Sequence, residues 1–255
     1  MKWPSSLTLI RHDTSAYNIL KDKKAGDEFY KEFRLTWKKD ALSEKTRALA
    51  QIVYERFSLG VGDANTPLAD NEGKQAFKVG VELSSGVVPD VIFVSPYVRA
   101  LLTLEHIKRG WKALEKVKTF QDYRIREQEH GLALIYNDWR VFEAIHPEQY
   151  KLRKLEGSYW YRYPQGENVP DVQLRNRDWI STLTREFAGK NVLVVTHHLN
   201  ILALRLNLER LGEKEFIHFD SKEKPINCGV TLYQGNPDKG ENGKLELKYY
   251  NKKLY

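Results

Sequence analysis

The sequence holds one cysteine, Cys228, in 255 residues. An internal disulfide framework and a Cys-rich zinc site are both excluded, and a reducing, cytoplasmic setting is the expectation. Long apolar runs are also missing. Apolar residues make up 41% of the chain, yet no run approaches the roughly 18 residues of a membrane-spanning helix. The stretch from Met1 to Ser5 runs straight into a short apolar segment without the long hydrophobic region of a signal peptide, so none is expected. The sequence also lacks an internal repeat, a low-complexity linker and any dense Lys/Arg block. Forty-one Lys and Arg against 34 Asp and Glu still leave a net charge of +7 and a pI near 9.2. That excess favours anionic partners without distinguishing a phosphate ester from nucleic acid or an anionic membrane surface. With the charges interleaved and no nucleic-acid motif present, most of them read as solvated surface, and nucleic acid is the disfavoured partner.

What is present is a set of strand-to-helix junctions that carry cationic side chains. The apolar run Leu7-Thr8-Leu9-Ile10 reads as a buried strand delivering Arg11 and His12 to its C-terminal end, with Thr14 or Ser15 capping the next helix. Val91 to Val94 reads as a second strand. The Ser95-Pro96 that follows it starts a helix with Arg99 in its first turn, because proline's missing N–H costs nothing there. Asn191 to Thr196 is a third apolar strand, ending in His197 and His198 before a helix from about Leu199 to Leu211. In an open α/β sheet ligands sit where strand ends meet helix N-termini, a natural site for an anion such as phosphate.

Between these junctions, residues 19 to about 64 contain two helical patterns: Phe29, Phe33 and Trp37, then Leu49, Ile52, Val53, Arg56 and Phe57 with Ser43 as N-cap. Gly60 to Asp63 closes the second, and the pair forms either a lid over the catalytic face or an extra layer on the scaffold. Thr66-Pro67-Leu68 is a turn before an acid-capped helix, capped within Asp70–Glu72 and running to about Ser84. Val117 to Phe120 reads as a short strand. Residues 132 to 163 read as a second helix-rich insertion, ending in Tyr159-Trp160-Tyr161-Arg162-Tyr163, which is either core or, through residues such as Arg162, in contact with substrate. A helix from about Asp171 to Phe187 and strands at 229–233 and 245–250 complete the pattern.

Arg11-His12-x-x-Ser15-x-x-Asn18 resembles the R-H-G-x-S-x-x-N signature of the histidine phosphatase superfamily, which includes the phosphoglycerate mutases. Further blocks resemble the same family: Thr66 to Ala76, Ser95-Pro96-x-x-Arg99-Ala100-x-x-Thr103-x-Glu105, Arg126-Glu127-Gln128-Glu129-x-Gly131, Pro164-x-Gly166-Glu167-Asn168, and Val194-Val195-x-His197. The resemblance implies one three-layer α/β/α domain over residues 1–255, built on a mostly parallel mixed sheet, with helical insertions at about 19–64 and 132–163 over the active-site face. It implies that His12 attacks phosphorus to form a phosphohistidine, that Arg11, Arg99 and His197 hold phosphate oxygens, and that Glu127 is the proton donor. Glu129 is the competing carboxylate. Asn18, Ser15, His198 and Arg162 are the further candidates for substrate contact, and the chemistry calls for no metal or cofactor. The positive field of the arginines is expected to keep His12 neutral.

Two departures stand out. Asp13 and His198 occupy positions where the family has glycine. Asp13 either points inward and repels phosphate or orients a histidine or arginine; His198 lines the pocket or lies on the surface. The mutases carry Trp-Arg-Arg after the acid loop, where this chain has Trp139-Arg140-Val141, so hydrolysis of a small phosphorylated substrate is favoured over phosphoglycerate mutase-type transfer. A low-turnover phosphate-recognising module is the remaining alternative. Oligomeric state is not legible.

Overall fold

A computed structural model describes residues 2–69 and 73–255. Its strands are β1 (Ser6–Arg11), β2 (Val91–Val94), β3 (Lys118–Gln121), β4 (Asn191–Thr196), β5 (Val230–Asn236) and β6 (Lys244–Lys252). The helices are α1 (Ala16–Gly26), α2 (Glu28–Lys39), α3 (Glu44–Arg56), α4 (Lys74–Leu83), α5 (Val98–Gly110), α6 (Trp139–Ile145), α7 (Pro147–Glu156), α8 (Val169–Glu186), α9 (His198–Glu209) and α10 (Glu213–Lys222). Among the described residues no helix is long and apolar enough to cross a membrane.

The strands form one sheet in the order β3-β2-β4-β1-β5-β6, parallel through the first four and antiparallel at β5 and β6. Successive residues of a strand face opposite ways, so an unbroken apolar strand needs cover on both faces. Leu7, Leu9, Phe93, Val192 and Val194 pack with Trp179 and Leu183 of α8 and Ile201 and Leu204 of α9. Ile10, Ile92, Val94, Leu193 and Val195 pack in a second core with Ala76 and Val79 of α4 and Ala100, Leu104 and Ile107 of α5. Three α/β/α layers follow, with a mixed sheet in the middle.

Ser15, not Thr14, caps α1, in a capping box with Asn18, and Ser43 caps α3. Helix α8 starts at Val169, two residues before the expected Asp171, because Asn168 accepts from the Asp171 N–H at 3.0 Å while Asp171 accepts from the Asn168 N–H at 2.9 Å. The acid-capped start expected within Asp70–Glu72 lies outside the described residues. Helix α4 itself begins after Gly73, whose φ of 54° is left-handed and whose lack of a side chain leaves the first-turn N–H groups without a local cap. Helix α10 has no counterpart in the sequence reading, since Phe216 is its one buried residue.

The helices of the two expected insertions pack on one another. Tyr30 and Phe33 of α2, with Leu49, Ala50 and Val53 of α3, share a core with Val141 and Ala144 of α6. Burying a side chain the size of Phe33, which is wholly inaccessible, stabilises by about 1.5–3 kcal/mol. A buried ion pair ties α1 to this group: Lys24 Nζ donates to the Asn137 carbonyl at 2.6 Å and lies 3.5 Å from Asp138 Oδ2. The aromatic run is core: Tyr159, Tyr161 and Tyr163 are buried, and Trp160 lies at the surface, donating to Glu213.

Candidate active site

Strands β1 and β2 flank β4, with Val195 opposite both Ile10 and Val94. Their C-terminal ends therefore stand side by side and bring Arg11-His12, Ser95 to Arg99 and His197-His198 to one edge. A cavity of about 250 Å³ opens there, lined by Arg11, His12, Ser15, Asn18, Arg99, Glu127 and His198 among others.

His12 is 3% exposed and oriented by the main chain. Its Nδ1 lies 2.6 Å from the Asp13 carbonyl oxygen, which can only accept, so the ring proton sits on Nδ1 and Nε2 keeps its lone pair. Arg99 Nε donates to that Nε2 at 3.3 Å. Burial holds His12 well below the ordinary imidazole range, and Arg99 and then Arg11 push it further down. Desolvation is thus a larger cause of its neutrality than the positive field alone.

His197 stands behind His12, with ring centroids 5.1 Å apart, and is wholly inaccessible rather than on the cavity wall. Its Nε2 lies 2.7 Å from Ser95 Oγ, which itself accepts from the Tyr97 N–H. Burial, with Arg99 next, holds His197 well below its usual value, so it carries one proton. Nε2 and the Ser95 hydroxyl share that hydrogen bond, and Nδ1 is buried without a partner among the described residues.

The two arginines differ in freedom. Arg11 Nη1 donates to the Pro225 carbonyl at 2.8 Å, and its buried Nε has no partner among the described residues. Arg99 is gripped by Asp63, at the start of a 3-10 turn spanning Asp63–Asn65: Nη1 is 3.0 Å from Oδ1, and Nη2 donates to Oδ2 at 3.2 Å. Nothing in the sequence spacing pointed to Asp63 as a partner of Arg99, 36 residues away.

Glu127 and Glu129 separate cleanly. Glu127 lines the cavity, and its Oε1 accepts from Leu199 N–H in the first turn of α9 and from Gln128 N–H, each at 3.1 Å. Glu129 pairs with Arg126 at 2.8 Å, half-exposed, and is not on the cavity wall. The loop is pinned from below. Glu167 takes Arg126 and Arg175, each at 2.9 Å, and accepts from the Glu129 N–H, while Arg175 also donates to the Glu127 carbonyl. At Gly131, φ is 50° and a Cβ would stand 2.0 Å from the Pro164 carbonyl oxygen, so only glycine lets this loop lie on the Pro164–Glu167 turn.

Ser15 and Asn18 meet the cavity while bonding each other, and Asn227, unforeseen from sequence, donates to the His12 carbonyl at 3.0 Å and to Asn18 Oδ1 at 3.2 Å. His198 is on the wall, 3.0 Å from Asp220; burial pushes that carboxyl up, but His198 and Lys224 outweigh it and hold it at about 2. Lys21 and Lys224 also line the cavity. Arg162 does not: it pairs with Asp171 at 2.6 Å on the surface, while Tyr161 and Tyr163 on either side of it are buried.

Asp13 takes neither expected role. Its carboxylate is buried away from the cavity, accepting from Ala76 N–H at 2.9 Å and Thr14 N–H at 2.7 Å. It supplies the first turn of α4 with the acceptor that Gly73 cannot. His12 is oriented by the carbonyl of residue 13, not by its side chain.

Strand-end histidines and arginines thus gather around a cavity whose wall also carries the Glu127 carboxylate. Residues 51–246 match the histidine phosphatase superfamily (branch 1), and the chain belongs to that superfamily. The match contains Arg99, Glu127 and His197; Arg11 and His12 lie upstream of it and join through the pairing of β1 with β4. Among curated relatives, phosphoglycerate mutase-like protein AT74 of Arabidopsis thaliana is 30% identical over 149 residues, 56% of this chain and 45% of that protein. This chain thus spans under half of that relative's length. The 2,3-bisphosphoglycerate-dependent phosphoglycerate mutase of Leifsonia xyli is 26% identical over 204 residues, 70% of this chain and 80% of that one. The alpha-ribazole phosphatase of Shigella flexneri superposes with a TM-score of 0.66 at 18% identity, covering 97% of this chain and 96% of that one. A mycobacterial glucosyl-3-phosphoglycerate phosphatase, solved with inorganic phosphate, superposes at 0.64 and 18%, covering 98% of each chain. At these identities the structural likeness shows the fold.

Proposed function

We propose that the chain is a phosphomonoesterase that works through a phosphohistidine at His12 and needs no metal. The observation that carries this is the main-chain clamp on His12 Nδ1, which presents an unprotonated Nε2 beside Arg99 in the cavity. Nε2 attacks phosphorus; the P–O bond to the leaving group breaks; Glu127, across the cavity, gives the leaving oxygen its proton. The unpartnered Nε of Arg11 and the Nε edge of Arg99 are donors for the non-bridging oxygens, while His197, wholly buried against the His12 ring, backs the nucleophile instead of holding phosphate. Glu127 then takes a proton from the water that cleaves the N–P bond.

Hydrolysis is favoured over mutase transfer by Arg140, whose guanidinium lies 4.1 Å over the Trp139 ring and beside Asp138 instead of lining the cavity. Lys21 and Lys224 on the wall suit an ester bearing a second anionic group. The test is phosphate release from p-nitrophenyl phosphate and from phosphomonoesters with and without a further carboxylate or phosphate, in excess chelator, for the unmodified chain and His12→Ala. Chelator-resistant turnover, lost in the variant, is expected. Phosphate binding without turnover on any ester would overturn the phosphatase reading in favour of a mutase or a recognition module.

A further inference from the structure

Besides Glu127 the cavity wall carries two carboxylates, Asp63 and Asp138; Asp138 is taken up by Lys24 and Tyr30, whereas Asp63 sits on an arginine that the proposed reaction uses. We propose that Asp63 is a positioning residue: it holds the far end of the Arg99 guanidinium so that the Nε edge faces the phosphoryl group on His12. This rests on the phosphohistidine reading.

Arg99 offers five N–H donors in a planar fork. Nη1 donates to the Asp63 carbonyl oxygen at 2.6 Å and lies 3.0 Å from Oδ1, and Nη2 donates to Oδ2 at 3.2 Å. What remains is Nε–H, 3.3 Å from His12 Nε2, and the second Nη2 hydrogen on the same edge. Two parallel donors beside the nucleophile match two oxygens of a phosphoryl group in flight. Apart from these contacts, the guanidinium touches the Tyr97 ring, whose centroid is 5.0 Å away, so without Asp63 little would hold its rotation.

Asp63 is suited to the task because its segment is braced to the loop that carries His12. The Asp63 carbonyl also accepts from Thr66 N–H, Ala16 N–H donates to the Pro67 carbonyl at 3.0 Å, Ala69 N–H donates to the Thr14 carbonyl at 2.9 Å, and Ser15 pairs with Leu68 in a β-bridge. Arg99 arrives on a different element, α5. Asp63 thus joins the arginine to the frame of the nucleophile, where a misplacement of about 1 Å can cost on the order of a hundredfold in rate.

The experiment is a double-mutant cycle on the full chain with Asp63→Asn, Arg99→Ala and both, read as kcat and KM on p-nitrophenyl phosphate and, separately, as orthovanadate affinity. Asp63→Asn is expected to lower kcat by roughly 10- to 100-fold with a smaller change in KM, and to change it less than about twofold when Arg99 is already alanine. Multiplying effects would overturn the proposal. So would Asp63→Asn turning over faster and binding vanadate tighter, the signature of a carboxylate that competes with phosphate. Melting temperatures check folding, and Asp63→Glu, which keeps the charge but displaces it by a methylene, serves as a second variant with the same expected direction. An unmodified chain that neither turns over nor binds vanadate would overturn the phosphatase reading and this inference together; turnover with a multiplying cycle would overturn only the role of Asp63.

Discussion

Replacing Glu127 by glutamine isolates the proton it is proposed to deliver. In the structure Oε1 already serves the Leu199 and Gln128 N–H groups, so the glutamine oxygen can take its place and the amide nitrogen stands where Oε2 was. The shape and helix contact are kept while the transferable proton is lost. General acid catalysis is worth about 10²- to 10⁴-fold, or roughly 3–5 kcal/mol of barrier. An alkyl phosphate should lose that factor in its first turnover, because an alkoxide leaves poorly without a proton. A p-nitrophenolate leaves unaided, so its pre-steady-state burst should slow by less than about tenfold even though later turnovers, which need the same carboxylate as a base for water, slow more. Rapid quench on both esters reads the two rates. Equal loss in the two first turnovers would refute the assignment and return attention to Glu129.

Two further predictions concern stability. Lys24→Met takes from the buried Asp138 carboxylate its lysine partner, leaving it the Tyr30 hydroxyl at 2.6 Å, the Arg140 N–H at 3.0 Å and the Arg140 guanidinium at 3.6 Å, and should cost about 3 kcal/mol by urea unfolding. Lys24→Met combined with Asp138→Leu should recover much of that, and a double variant no more stable than the single would refute the cause. His12 and His197 are held well below 6.5 in the fold, so below about pH 6.5 the unfolded chain binds more protons than the native one. Their contribution is full above that pH and is lost as the pH falls, by up to about 2.7 kcal/mol per pH unit for the two together. Urea midpoints measured from about pH 7.5 down to 5 should show this slope, and His12→Gln with His197→Gln should flatten it; an unchanged slope would show that other groups carry it.

Much of the site was legible because each strand-to-helix junction has a local cause. An apolar run followed at once by Arg11-His12, by Ser95-Pro96 or by His197-His198 marks a strand end whatever the rest of the chain does. Cap identities are local too, which is why Ser15, Ser43 and Asn168 were readable as candidates. Arg162 misled because a run of aromatics gives no sign of which alternate residues face the core.

The sequence alone determined the three strands, the helices that follow them and the residue types delivered at their ends, because apolar periodicity and capping act over a few residues. Only the tertiary structure decided what those side chains meet. It turned Asp13 away from the cavity to cap α4, put Glu127 rather than Glu129 on the wall, seated His197 against the His12 ring, and closed Asp63 on Arg99. These are contacts between elements far apart in the chain, set by strand register and helix packing, and no local pattern encodes them.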